Sequence, residues 1–239
     1  VTGRLGDIWV YLSATPLLGL TLTLVVYQAA YWIYRRAGFH PLLNPVALSI
    51  VALVALLSAT GTPYRTYFDG AQFVHFLLGP ATVALAIPLH AQLPRLRAMF
   101  VPLAGALAAG SLTAILSAVG IAWALGASRE TVLSLAPKSV TTPIAMGIAE
   151  KLGGLPSLTA VLVVTTGIVG AVAAKYVLDA LRISDHAVRG FSVGIAAHGI
   201  GTARAFQVSE TAGAFAGLGM GLNGLITAAL FPLLVWLAR

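Results

Sequence analysis

Six stretches of this sequence run for nineteen residues or more without an Asp, Glu, Lys or Arg: 8–33, 41–60, 71–89, 98–128, 152–174 and 211–238. About 20 apolar residues in a helix cross the hydrocarbon core of a bilayer. Backbone polar groups at that depth must be satisfied within the protein, which leaves helices or closed barrels. The runs are too long for barrel strands, so the chain reads as an all-α polytopic membrane protein. The balance of residues agrees: 59% are hydrophobic and 9% charged, against about 25% charged in soluble domains. The first run exceeds a signal-peptide core and is expected to remain as a span.

Charge then sets topology. Lys and Arg in short loops collect on the cytoplasmic side. Arg35 and Arg36 follow the first run, and Arg95 and Arg97 follow the third. Both pairs fall on one side, taken as inside. If residues 137–152 dip into the membrane and return, Arg182, Arg189 and Arg239 join them. That arrangement gathers seven loop cations inside and is preferred to a further span. The net charge of +7 is spread over loops and forms no basic run, so it carries topology and excludes nucleic acid as the expected partner.

This topology gives about seven spans plus one re-entrant segment. Runs 41–60, 71–89 and 98–125 match runs 155–178, 190–207 and 211–238 at an offset of roughly 115 residues. In each set the middle helix is interrupted, by Gly79 and Pro80 in the first and by Gly199 and Gly201 in the second. The expected organisation is an extra span at 1–36, a first repeat at 37–128, a re-entrant segment at 129–153 and an inverted second repeat at 154–239. Paired broken helices are a secondary-transporter signature.

Two motifs carry polar chemistry into these apolar surroundings. In AAHGIGTARA (196–205), His198 and Thr202 are four residues apart and Arg204 follows two glycines. Arginine near the bilayer centre is costly and persists where it faces a cavity or a partner; its planar fork suits a carboxylate. In APKSVTTPIA (136–145), Lys138, Ser139, Thr141 and Thr142 lie between Pro137 and Pro143. Pro143 is expected to push Thr142 out of helical geometry and open the backbone to a ligand. Weaker candidates are Asn44, Gln72, His75 and Thr82. Asn223 sits in GLGMGLNG, where small residues at four-residue spacing indicate helix packing. Lys175 and Asp179 are expected to pair, and Glu150 with Lys151 to be solvated.

Absences narrow the function. No carboxylate lies within either broken segment, which disfavours cation exchange. No HExxH, GxSxG or phosphate-loop motif is present, so no enzymatic activity, metal or cofactor is expected. The chain has no cysteine, hence no disulfide or thiolate site.

APKSVTTPIA and AAHGIGTARA, with LLGPATVALAIPL (77–89) ahead of them, resemble the LrgB/CidB family of bacterial inner-membrane proteins, from about residue 40 to the C-terminus. The resemblance implies a separate small LrgA/CidA-type membrane partner and a role as holin- or antiholin-like regulator of murein hydrolase activity and lysis. The family is also similar to the plastid glycolate/glycerate translocator, and bacterial relatives are linked to pyruvate and related acids. Its motif residues fall here on Lys138, Ser139, Thr141, Thr142 and Pro143, and on His198, Gly199, Gly201, Thr202 and Arg204.

The leading expectation is a secondary carrier for small monocarboxylates of the glycolate, glycerate, lactate or pyruvate type. In that reading Lys138 or Arg204 takes the carboxylate, and Ser139, Thr141, Thr142, Thr202 and His198 meet the hydroxyls. A homodimer in the lipid bilayer is the expected assembly. The alternative is an antiholin-like regulator of a holin-type partner, with GAFAGLGMGLNG (213–224) as its packing face. A passive channel is the third reading.

Overall fold

The computed structural model describes residues 16–77, 80, 83–84 and 86–237. They fall into two compact units, 1–84 and 85–239. In the first, α1 (Pro16–Arg36) packs on α2 (Pro45–Thr60) and α3 (Tyr64–Phe76). Gly19 lets α1 approach the Tyr67 carbonyl of α3, where an added Cβ would lie 2.5 Å away. Thr23 and Tyr67 share a 2.7 Å hydroxyl hydrogen bond across the same contact. Asn44 caps α2, its Oδ1 accepting from the N–H groups of Val46 and Ala47 at 2.9 and 3.2 Å. Asn44 is thus occupied as a helix cap.

The second unit contains α4 (Ala86–Ala91), α5 (Leu93–Ala98), α6 (Phe100–Ala124), α7 (Arg129–Leu135), α8 (Thr142–Leu152), α9 (Pro156–Ala180), α10 (His186–Val208) and α11 (Glu210–Leu237). Among the described residues, four helices are long and apolar enough to cross a bilayer: α1, α6, α9 and α11. The chain is an all-α polytopic membrane protein with these four long candidate spans, and the expected count of seven is not reproduced.

The reason is clearest in α10, which reads in sequence as an interrupted span. Its backbone leaves helical geometry at His198, with φ 38° and ψ −134°. Beyond that point the chain turns back on itself. A Cβ on Gly201 would lie 2.8 Å from Val193 Cγ1 and 3.0 Å from the Val193 carbonyl, eight residues earlier. A straight helix separates such residues by about 12 Å. Residues 186–197 and 199–208 are therefore the two arms of a helical hairpin. Each arm is at most about 18 Å long, short of the ~30 Å core.

α11 runs alongside the first arm in the same direction. Gly190 lies against Ala212 and Gly194 against Ala216, and Gly219 faces the Phe191 carbonyl. At Gly190 and Gly194 an added Cβ would collide with the carbonyl oxygen of the facing alanine. The four-residue spacing of small residues on both helices brings the backbones together.

α7 and α8 form a second short pair around residues 136–141. Ser134, at the end of α7, accepts from the Leu155 N–H at 2.7 Å through its hydroxyl, while its carbonyl accepts from Thr159 Oγ1 at 3.0 Å. α8 has 11 residues, about 16 Å of helix. Pro143 sits in the first turn of α8, with Thr141 as its extended N-cap. Proline is tolerated there because that N–H has no intrahelical partner. Pro143 thus opens a helix where the sequence reading expected a break, and Thr142 is the first helical residue. Gly79 and Thr82 lie outside the described residues, as does Arg239; Pro80, between Gly79 and residue 81, is helical and exposed.

Asp185 starts the hairpin. Its Oδ1 accepts from the N–H groups of Ala187 and Val188 at 2.8 and 3.1 Å, and Oδ2 pairs with Arg95 at 2.5 Å. The Val188 and Ala187 N–H groups, and then Arg95, hold its carboxyl below the usual carboxylate range. Asp185→Ala is expected to lower stability at neutral pH by about 1 kcal/mol, the worth of an N-cap; the exposed ion pair adds little. The folded value lies below the unfolded one, so the contribution is complete above the unfolded value of about 3.9 and fades as pH falls through the depressed one. Melting curves of the two proteins in detergent should converge in acid; a constant gap at all pH values would remove Asp185 as the cause.

Candidate functional site

The two hairpins enter the second unit from opposite ends, and their tips meet beside α11. Following α6, α9 and α11 along their lengths shows this. Leu103 and Leu107 share a core cluster with Phe215 and with Ala187, Phe191 and Ile195 of the first α10 arm. Ala136 and Ile148 of the other pair cluster with Phe231, backed by Ile115 and Val119. Between these clusters lies Asn223.

Asn223 is 1% exposed and uses both ends of its amide. Nδ2 donates to the Ser139 carbonyl at 3.0 Å and to the Ile195 carbonyl at 3.1 Å. Oδ1 accepts from Ser111 Oγ at 2.6 Å. One side chain thus ties both tips to α6 and α11. The arrangement follows from backbone chemistry. A helix break releases the carbonyls of the preceding turn, and a buried carbonyl left unpaired is costly. Ile195 lies in that turn, and the amide supplies its donor.

His198, the residue of the break, is 4% exposed. Its Nε2 lies 2.9 Å from the Val163 carbonyl of α9. A carbonyl can only accept, so Nε2 carries the proton. Gly167 provides the room: an added Cβ would lie 2.7 Å from the imidazole Cε1. Thr202 Oγ1 donates to the His198 carbonyl at 2.8 Å, which satisfies a second released group. A non-glycine residue at this φ costs on the order of 1–3 kcal/mol, and these contacts offset it. Among the described residues, no buried side-chain nitrogen or oxygen lacks a partner.

The residues singled out in the sequence divide into two groups. Ser139, His198 and Thr202 are buried in this junction, with Thr141 and Thr142 half-buried at the start of α8. Lys138 is half-buried, makes a long 3.5 Å contact with Ser139 Oγ, and lies within electrostatic reach of the His198 ring. Gly201 packs one arm of the hairpin on the other, whereas Gly199 has only Met220 Sδ near it, at 3.8 Å from an added Cβ. Arg204 belongs elsewhere. It bonds Gln207 at 3.3 Å and lines a separate cavity with Lys175, Asp179 and Arg189. The expected Lys175–Asp179 pair is present at 2.8 Å, and Glu150 and Lys151 are exposed.

Asn223 is the residue whose role the sequence understates, since its motif reads as helix packing. The signal available was an amide within 28 helical residues that otherwise offer almost no polar group; its glycine-rich surroundings read as packing alone. That packing face is filled within the fold, since Ala212, Ala214, Phe215, Ala216 and Met220 are all buried.

Residues 23–237 match the model of the LrgB-like family. The chain is 37% identical to the uncharacterized protein YwbG of Bacillus subtilis, over 92% of this chain and 97% of that one. It is 28% identical to the holin-like protein CidB of Staphylococcus epidermidis, over 95% and 98%. It is 25% identical to the antiholin-like protein LrgB of Bacillus cereus, over 92% and 96%. No solved structure matches. These holin-like and antiholin-like relatives overturn the leading expectation of a monocarboxylate carrier. The glycolate, glycerate, lactate and pyruvate substrates fall with it, and so does the carboxylate role given to Lys138 and Arg204.

Proposed function

The chain belongs to the LrgB-like family and is a multi-pass, non-enzymatic protein of the bacterial inner membrane, and from that premise we propose that it is an antiholin-like regulator. It restrains a small holin-type membrane partner of the LrgA/CidA kind and thereby limits murein hydrolase activity and lysis. The observation that carries this reading is the near full-length match to holin-like and antiholin-like proteins.

The geometry supports it in one respect. The buried polar groups at the tips bond within the protein, through Asn223, Ser111, His198 and Thr202. Such a satisfied junction holds two hairpins from opposite membrane faces in one arrangement. A regulator that acts by contact presents a fixed surface to its partner, and the junction supplies that fixity. The partner meets other surfaces, because the small-residue face of α11 is already covered.

Co-purification tests the reading. The affinity-tagged chain is produced in a bacterial host with an LrgA/CidA-type partner and extracted in mild detergent. The partner is expected to elute with the chain and to be absent when an unrelated tagged membrane protein replaces it. A partner that stays in the unbound fraction in both cases would contradict the proposal.

A further inference from the structure

A cavity of about 170 Å³ opens between α9, the two arms of α10 and the start of α11. A single water takes roughly 30 Å³ in the liquid, so this space admits a phosphate with its ester oxygens. Its polar lining is Lys175, Asp179, Arg189 and Arg204, three cations against one acid. The rest is apolar, including Leu178, Val193 and Val208.

Asp179 organises the cations without neutralising them. It accepts from Lys175 Nζ at 2.8 Å and from Arg189 NH1 at 2.7 Å. Arg189 NH1 also donates to the Ile183 carbonyl at 2.9 Å. The guanidinium is thus fixed through one nitrogen, and the rest of its fork stays available for a bidentate oxyanion. Arg204, which donates to Gln207 at 3.3 Å, adds its positive charge to the same cavity from the returning arm.

The position of the cavity identifies the source of the anion. Arg95 pairs with Asp185, and this end of the unit holds Arg95, Arg97, Lys175, Arg182, Arg189 and Arg204 against Asp179, Asp185 and Glu210. The opposite end holds Arg129, Glu130, Glu150 and Lys151, with charges that balance. The cationic end is the cytoplasmic one, and that leaflet carries anionic lipid. We propose that this cavity binds the phosphate of an anionic phospholipid of the cytoplasmic leaflet, with the adjoining apolar wall against its glycerol and upper acyl carbons.

The experiment is thermal unfolding of the full chain in phosphatidylcholine nanodiscs with increasing phosphatidylglycerol, paired with native mass spectrometry of retained lipid. Phosphatidylglycerol is expected to raise the unfolding temperature in a saturable way and to remain bound at least tenfold more than phosphatidylcholine. The Arg189→Gln and Arg204→Gln variants should each lose that preference, and Arg204→Lys should keep part of it. Lys175→Gln, at an exposed position, checks the result if either arginine variant folds poorly. Equal retention of both lipids, or a preference unchanged in the variants, would overturn the proposal. So would the same stabilisation from inorganic phosphate alone in phosphatidylcholine discs, which would make the ligand a free anion.

Discussion

Asn223→Ala is expected to lower the stability of the protein by on the order of 3–5 kcal/mol, the largest loss of any single polar substitution here. The alanine removes three hydrogen bonds and leaves the Ser139 carbonyl, the Ile195 carbonyl and the Ser111 hydroxyl facing one another in a closed interior. Each buried group left unpaired costs about 1–3 kcal/mol. A folded domain has only about 5–15 kcal/mol in total, and at about 2–4 °C per kcal/mol for a chain of this size the variant should unfold roughly 6–20 °C lower in detergent. Asn223→Asp should be no better. It keeps an acceptor for Ser111 but turns two donors into a carboxylate that faces two carbonyls. Leu225→Ala, two residues along and 69% exposed, is the control and should change little. Fluorescence-monitored unfolding of the four proteins decides it, and an Asn223→Ala curve within 0.5 kcal/mol of the parent, about the scatter of surface substitutions, would mean that the junction does not hold the tips.

The second large effect is steric. Gly194→Val should separate α10 from α11 or prevent folding, because even a Cβ at this position runs into the Ala216 carbonyl oxygen. Backbone cannot yield as a flexible side chain can, so the cost exceeds the usual 1–3 kcal/mol of overpacking. Gly190→Ala meets the Ala212 carbonyl in the same way. Gly221, by contrast, faces open space. Gly221→Ala should be neutral or should stabilise by up to about 1 kcal/mol, since alanine is the better helix former. Size-exclusion profiles of the solubilised variants report the difference directly: a monodisperse Gly194→Val protein with parental melting would refute the close approach.

Much of the architecture is legible in the order of charges and apolar runs. The uncharged windows at 98–128, 152–174 and 211–238 overlie α6, α9 and α11. The stretch around α10 misleads because its apolar length suits a span. Nothing in a one-dimensional pattern says that a helix reverses. The glycines at 199 and 201 look like its breaking points, yet the reversal falls on His198, at a positive φ that is uncommon outside glycine. That conformation is imposed by tertiary contacts, with Val163 and Gly167 on one side and Thr202 on the other. Arg204 shows a related limit. Its motif neighbours sit at the junction, but the returning arm carries it to the cavity of Lys175 and Arg189. Adjacency in sequence groups Arg204 with His198 and Thr202, whereas the structure sets it beside Lys175, Asp179 and Arg189.

The same reversal bears on function. Polar residues in the middle of a membrane protein invite a ligand, and both motifs carry such residues. Of these, His198 bonds the Val163 carbonyl, Thr202 the His198 carbonyl, and the Ser139 carbonyl accepts from Asn223. A junction of that kind suits a regulator whose state depends on holding two hairpins together, and it agrees with the names of the curated relatives.

The most direct measurement is the lysis rate of a bacterial culture that expresses the LrgA/CidA-type partner, with and without this chain, alongside zymography of its murein hydrolases. Co-expression of the parent chain is expected to delay lysis and lower hydrolase activity. Asn223→Ala, produced to the same membrane level, should lose most of that delay. Identical lysis curves with and without the parent chain, at equal partner levels, would contradict the regulatory account.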